Sequence, residues 1–260
     1  VTAPNIAMHA DGNQKIARDY LMAAGIPDST LDYGWPDTSP DMVTPAEIAG
    51  PTDTDHSDGI LFDADKTPRY CQLMSMHWAV TDAAKNPETV AEVRSFLNNP
   101  VHFFAECQAV NAFENHPNGL FLTTKGFDSG TKPTLVDYYN DDLPFAQIDG
   151  GFLPVGGSEP AYTLPAGSAY KAKGITMITK AGTPEGDNDV WMTGYLDGTC
   201  NIREDCPTGK VSYLGGHSFS VDLPISKNLD TQGTRIFLNS LFEAPCATAT
   251  GQPTLTVTKV

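Results

Sequence analysis

The chain has 260 residues, 40% of them hydrophobic, with 23 Gly and 20 Pro, which is enough for one sizeable core carrying long loops. Its formal net charge of −16 excludes a nucleic-acid or anionic-membrane partner, whose phosphates such a surface repels; it suits a secreted protein, a high-salt setting or Ca2+ binding. No apolar run approaches the length of a transmembrane helix, so no membrane insertion is expected, and without an initiator Met or a signal peptide Val1 reads as a processed end or the edge of a longer chain.

Residues 5–9 (NIAMH) read as a first strand. Asp11-Gly12-Asn13 then caps a helix whose apolar positions Ile16, Ala17, Tyr20, Leu21 and Ala24 keep helical spacing, and Gly25 stops it. Residues 27–69 read as loop, punctuated by Pro27, Pro36, Pro40, Pro45, Pro51 and Pro68, with only 60–62 apolar enough for an edge strand. Asp53, Asp55, Asp58, Asp63 and Asp65 make this loop acidic. Its DTDHSDG stretch resembles a calcium loop, but the glycine falls one place late for an EF-hand and the closing glutamate is absent. A solvated acidic face is the expected reading, with Ca2+ at Asp53, Asp55 and Asp58 as the alternative.

Residues 70–78 (YCQLMSMHW) form the second strand, and Asn86-Pro87-Glu88 opens a helix with Val90, Val93, Phe96 and Leu97 on one face. Residues 101–105 are a buried strand, and residues 108–113 turn to helix period with Val110 and Phe113 together. Cys107 stands between the two. It lies at the carboxyl end of a strand, where open α/β sheets place their sites, and its sulfur faces a helix N-terminus that favours thiolate. The plain alternative is a buried free cysteine in an ordinary turn. The β-α-β-α alternation implies parallel strands with right-handed crossovers.

Residues 120–123 suggest another strand, and 125–170 an irregular insertion rich in Gly, Pro, Asp and Tyr. Strands follow at 175–179, 190–196 and 210–214, the last two antiparallel across a loop holding Cys200 and Cys206. Gly215-Gly216-His217 comes next, then a helix over 232–242 with Ile236, Phe237, Leu238 and Leu241 apolar. The expected organisation is one α/β domain over 1–250. The alternating tail at 251–260 reads as a linker or the first strand of a further β-domain.

Five cysteines occur, without CxxC or CxxCH, so zinc-ribbon and c-type haem readings fail. Cys200 and Cys206 are expected to close their polar loop as a disulfide, which favours an extracellular, secreted or cell-surface setting. Cys71 begins its strand and Cys107 follows the end of a parallel one, roughly 15–20 Å away at strand rise, too far to bridge. Cys246, just past a last helix that runs back along the sheet, should meet Cys71, leaving Cys107 free.

Three pieces carry a resemblance to the class I glutamine amidotransferase-like superfamily, and within it to the trehalose-utilisation (ThuA-like) proteins. They are VAEVRSFLNNPVHFFAECQA, the pair VWMTGYLDG and GKVSYLGGH, and the closing TRIFLNSLFEAPC. The resemblance implies a flavodoxin-like fold: a mainly parallel sheet with helices on both faces, an antiparallel strand pair near the C-terminus and long irregular loops. It places Cys107 and His217 at the nucleophile and base positions. The family elbow Gly-x-Cys-x-Gly is here Ala105-Glu106-Cys107-Gln108-Ala109. The family's His-x-Glu is absent, since Ser218 and Phe219 follow His217.

His9, His77, Cys107 and His217 each sit at or just past a strand end, so they should converge on one sheet edge. A Cys107–His217 pair there can perform hydrolysis or acyl transfer, within about 4–5 Å of each other. Glu106 is the adjoining carboxylate, able to tune the thiol or to cap the helix, and Glu114 is a second one nearby. Alternatively His9, His77 and His217 hold a metal such as Zn2+ with Cys107 as a soft ligand. A third reading makes these residues a hydrogen-bonded pocket lined by Trp78 and Met76. A non-catalytic reading stands beside them, a structural or sugar-binding module of a surface or filament protein. In it Tyr138, Tyr139, Phe145, Phe152, Tyr162 and Tyr170 bind carbohydrate, another small molecule or a neighbouring copy.

Overall fold

Short apolar runs bounded by polar punctuation supply the central strands. In the computed structural model of the chain, residues 6–9, 15–24, 41–78, 86–133, 136–139, 151–154, 156–171, 175–180, 182–202, 204–222 and 229–240 are described. The first half alternates strand and helix: β1 (Ile6–His9), α1 (Lys15–Ala23), β2 (Asp41–Val43), α2 (Pro45–Ala49), β3 (Gln72–Ser75), α3 (Asn86–Phe96), β4 (His102–Glu106) and α4 (Gln108–Glu114). The second half is mostly strand: β5 (Asp128–Ser129), β6 (Val136–Tyr139), β7 (Tyr162–Thr163), β8 (Thr176–Lys180), β9 (Asp189–Tyr195) and β10 (Lys210–Leu214), closed by α5 (Gln232–Ser240).

The sheet runs β2-β1-β3-β4-β10-β9-β7-β5, with β8 also on β9 and β6 on β8. Every pairing from β2 to β10 is parallel, and every pairing beyond β10 is antiparallel. The fold is thus mixed α/β with a mostly parallel core, as the alternation implies.

Strand alternation builds two apolar layers. From β4, Phe103 and Ala105 face one layer, where α3 contributes Val90, Val93 and Phe96 and α4 contributes Val110 and Phe113. Phe104 faces the other, with Tyr20 and Leu21 of α1 and Ile236 and Phe237 of α5. Phe103 meets Phe113 edge-on at 4.6 Å, and Phe104 meets Phe237 at 5.3 Å. Each such ring withdraws apolar surface worth about 1.5–3 kcal/mol. One polar row crosses this interior. Gln72 Nε2 and His102 Nδ1 lie 2.9 Å apart, His102 Nε2 and Ser212 Oγ 2.8 Å, and Ser212 Oγ and Thr193 Oγ1 2.8 Å. Burial holds the His102 imidazole well below its usual range, so it sits neutral in the row. The row spans β3, β4, β10 and β9 and fixes their register, because a slip would orphan several buried polar groups.

The long loop expected over 27–69 contains β2 and α2 instead. Thr44 and Glu47 form a reciprocal capping box: the Glu47 N–H donates to Thr44 Oγ1 at 3.2 Å, and the Thr44 N–H donates to Glu47 Oε2 at 2.7 Å. Pro45 is the first helical residue, where its missing N–H costs nothing. The strands expected at 60–62 and 120–123 are single bridges, Phe62 to Pro68 and Thr123 to Tyr170. The second piece cannot pair further, because Glu114 takes the N–H groups of Phe121, Leu122 and Thr123. The insertion at 125–170 carries three strands, β5, β6 and β7.

Cys200 and Cys206 are bridged, with Cα atoms 6.0 Å apart, at the loop between β9 and β10. Cys71 is also disulfide-bonded; its expected partner, Cys246, lies outside the described residues, as does the tail. Among the described residues no helix is long and apolar enough to cross a membrane.

Candidate functional site at the strand ends

Three neighbouring parallel strands, β3, β4 and β10, end at the same edge, with Ser75 opposite Ala105 and Glu106 opposite Leu214. The residues just beyond those ends are His77, Cys107 and His217. Parallel register therefore delivers three ligating side chains to one place, and their ligand atoms all lie within 4.8 Å of one another. The two imidazole rings stand 4.9 Å apart.

Cys107 is fully buried and its backbone is unusual, with φ 49° and ψ −129°. A β-carbon makes that conformation costly, of order 1–3 kcal/mol, so it persists only where its surroundings enforce it. The Cys107 N–H donates to the Leu214 carbonyl at 3.1 Å, and its carbonyl accepts from the Val110 N–H at 3.1 Å and from the buried Tyr162 hydroxyl at 2.8 Å. These bonds lock the elbow from β10, α4 and β7. Ala109, where the amidotransferase elbow carries its second glycine, is buried in the core under the turn.

The sulfur meets a loop that sequence reasoning passed over. Cys107 Sγ donates to Glu159 Oε2 at 3.2 Å, and the Ser158 hydroxyl donates to the same oxygen. Backbone N–H groups of Gln108 and Glu159 also face the sulfur. The loop is tied down by the Gly216 N–H, which donates to the Glu159 carbonyl at 2.8 Å. Two left-handed glycines bring it close. A Cβ on Gly156 would lie 2.2 Å from the His217 carbonyl oxygen, and one on Gly157 would lie 2.3 Å from Cys107 Sγ and 2.5 Å from His217 Nδ1. Only glycine fits at either position.

Burial pushes the Cys107 thiol up to about 11, and the Glu159 carboxylate adds to the rise against two opposing N–H bonds. The resting cysteine is therefore a thiol at neutral pH. Burial also lowers His217; His77 lowers it further, and Glu159 opposes the change. His217 Nδ1 is enclosed and has no hydrogen-bond partner among the described residues. A neutral imidazole beside a neutral thiol has a lone pair for a proton or a cation.

No family model matches this chain, and no curated protein matches it. Among solved structures it is similar to a GH42 β-galactosidase, Gan42B, at 11% identity and a TM-score of 0.41, over 92% of this chain and 29% of that one. It is also similar to STM3548, a cytoplasmic protein from Salmonella typhimurium, at 12% identity and a TM-score of 0.46, over 87% of this chain and 85% of that one. The chain thus spans less than a third of the galactosidase's length.

The other sequence candidates whose side chains are described have partners of their own. Glu106 is buried and interacts with the Tyr20 hydroxyl of α1. Glu114 is spent on the backbone of 121–123 and on the Tyr213 hydroxyl, which donates to it at 2.7 Å. Trp78 packs on Phe113 at 4.9 Å in the core, and Met76 lies in the opposite layer. His9 ends β1 opposite Val43, and nothing beyond its backbone is described.

The acidic loop is internally paired. Lys66 Nζ donates to Asp55 at 2.6 Å, Thr52 Oγ1 donates to Asp58 at 2.5 Å, and Asp53 is exposed. Among the described residues the only three-member ligating group is the one at His77, Cys107 and His217. The described insertion aromatics turn inward: Phe152 packs on Phe219, Tyr162 holds the elbow, and the Tyr170 hydroxyl donates to Asp189. Tyr138, Tyr139 and Phe145 lie outside the described side chains.

Glu159 and Gly157 are the neighbours of this cluster that the sequence reading does not single out. The signal for them was Gly156-Gly157-Ser158-Glu159, a glycine pair beside a carboxylate inside an otherwise irregular stretch.

Proposed function

We propose that this chain is a thiol-dependent amidase, esterase or acyl-transfer enzyme on an amidotransferase-like, flavodoxin-like fold, with Cys107 as nucleophile and His217 as base. The observation that carries the reading is the strained, non-glycine elbow at Cys107 with an unpartnered imidazole nitrogen beside it. Strain of this kind clusters where a reacting atom must be presented.

In the forward step the Cys107 S–H proton passes to His217, and the sulfur bonds to the substrate's carbonyl carbon. In this reading the Gln108 and Glu159 N–H groups, which face the sulfur, donate to the developing oxyanion. The bond to the leaving amine or alcohol then breaks, and that group takes the proton from His217. Water, deprotonated by the same imidazole, attacks the thioester and restores the thiol. The loop at 156–159 covers the sulfur, so the resting state is closed and substrate must displace it. The disulfides support an oxidising, extracellular setting for the chain.

The test uses the full chain with a panel of activated acyl esters such as p-nitrophenyl acetate. An acyl adduct on the Cys107 peptide in intact-mass and peptide mapping, with turnover abolished in Cys107→Ser at unchanged melting temperature, is the expected result. Turnover undiminished in Cys107→Ser overturns the reading. So does the absence of both adduct and turnover, and the full burial of Cys107 then favours a non-catalytic surface module.

A further inference from the structure

The acyl-transfer reading uses one imidazole, and the strand ends supply two. His77 stands 4.9 Å ring to ring from His217 and completes a three-member group with Cys107. A second histidine on this spot is not needed to withdraw a thiol proton. It is what a borderline-soft cation needs, because sulfur and imidazole nitrogens are the donors such an ion prefers.

We propose that His77, Cys107 and His217 form a three-ligand site for a divalent cation of the zinc class. This inference goes beyond the acyl-transfer reading and stands without it. Zinc binds thiolate at about 2.3 Å and imidazole at about 2.0–2.1 Å, which places tetrahedral ligand atoms roughly 3.3–3.6 Å from one another. The three atoms here lie within 4.8 Å, so side-chain rotations that draw them in by about 1 Å close the set.

Gly157 packs directly against two of these ligands. The point where its side chain would stand is 2.3 Å from Cys107 Sγ and 2.5 Å from His217 Nδ1, so any larger residue would clash with both. All three ligands come from the ends of adjacent parallel strands, a rigid frame that pre-positions them. Three protein ligands leave a fourth tetrahedral position, for water or for the Glu159 carboxylate, whose Oε2 stands 3.2 Å from Cys107 Sγ. On binding, the Cys107 S–H bond breaks, its proton leaves to solvent and the sulfur keeps the electron pair as the ligand. The cation and an acyl group therefore compete for one sulfur atom.

The decisive experiment adds Co2+, then Zn2+, to the full chelator-stripped chain. Expected are one equivalent bound, a thiolate-to-cobalt charge-transfer band with tetrahedral visible bands, and loss of both on Zn2+ addition. Cys107→Ser should lose the charge-transfer band. His77→Ala, checked as folded by circular dichroism, should bind Zn2+ more weakly by at least roughly a hundredfold, the upper end of what even outer-shell partners cost. Cobalt held by the acidic loop alone would give no thiolate band. Absence of that band in the wild-type chain overturns the site, and so does His77→Ala binding Zn2+ as tightly as wild type. Neither outcome bears on acylation of Cys107, which is read by mass in metal-free buffer.

Discussion

Cys107 and Glu159 are 52 residues apart in sequence, yet the sulfur of one donates to a carboxylate oxygen of the other at 3.2 Å. The contact adds to the forces that keep the sulfur a thiol. Burial is the main cause of its rise to about 11, and the carboxylate reinforces it, since a thiolate there would face a second negative charge. Replacing Glu159 by Gln removes that charge and keeps the shape. The thiol should ionise more readily, and iodoacetamide alkylation of Cys107 at pH 8 should rise roughly three- to tenfold. A pH–rate profile measured by peptide mass reads this directly. An unchanged midpoint in Glu159→Gln would mean that desolvation alone governs the thiol.

Gly157 controls access to the same sulfur. It has φ 72°, and an added Cβ would stand 2.3 Å from Cys107 Sγ. Gly157→Ala must therefore push the loop off the elbow at a cost of about 1 kcal/mol or more. The expected outcome is a lower melting temperature together with faster alkylation of Cys107 at a fixed pH. A destabilised variant whose Cys107 stays as protected as in wild type would show that some other segment closes the site.

The parallel half of the fold was legible because its strands are short apolar runs between helix-period segments. Residues 101–105 and 210–214 needed only strand periodicity; that they lie side by side in parallel is shown by the structure alone. The convergence of His77, Cys107 and His217 was legible for the same reason: each lies just past a strand end, and parallel strands end together. What was not legible came from long-range polar contacts. Residues 120–123 have the composition of a strand, but Glu114 claims their N–H groups before a neighbouring strand can. Pro45 looked like a breaker, whereas a Thr-x-x-Glu box makes it a helix start. The loop at 156–159 has no periodicity, and it is held over the elbow by bonds between residues far apart in sequence, from Gly216 N–H to the Glu159 carbonyl, from Gln108 Nε2 to Ser158 Oγ and from Cys107 Sγ to Glu159 Oε2, that no local pattern encodes.

Glu114 is a buried carboxylate with five donors: three backbone N–H groups, the Thr123 hydroxyl and the Tyr213 hydroxyl. It fastens the end of α4 to the segment that follows and to β10. Glu114→Ala strands those donors in the core and should cost about 3–5 kcal/mol, because each orphaned buried group forfeits its solvation. Chemical denaturation reads the loss. Glu114→Gln, which keeps an acceptor, should lose visibly less. Equal stability of wild type and Glu114→Ala would show that water replaces the carboxylate at no cost.

Glu92 on α3 ties the acidic loop to the fold. Its Oε1 accepts from the Asp58 and Gly59 N–H groups, each at 3.1 Å, and the side chain is fully buried. Burial pushes this carboxyl up from 4.5 to about 7, against the pull of those two N–H bonds. A raised acid binds its proton more tightly in the folded chain than in the unfolded one. Its contribution to stability is thus present in full below about pH 4.5 and is lost as pH rises through about 7. At about 1.36 kcal/mol per pKa unit this is on the order of 3 kcal/mol. Glu92→Gln keeps the acceptor oxygen without the titration. Its melting temperature should therefore match wild type near pH 4 and exceed it at pH 8, the two pH curves diverging as pH rises through neutrality. Parallel curves from pH 4 to 8 would place the folded-state carboxyl in the ordinary range and remove Glu92 as the source of the dependence.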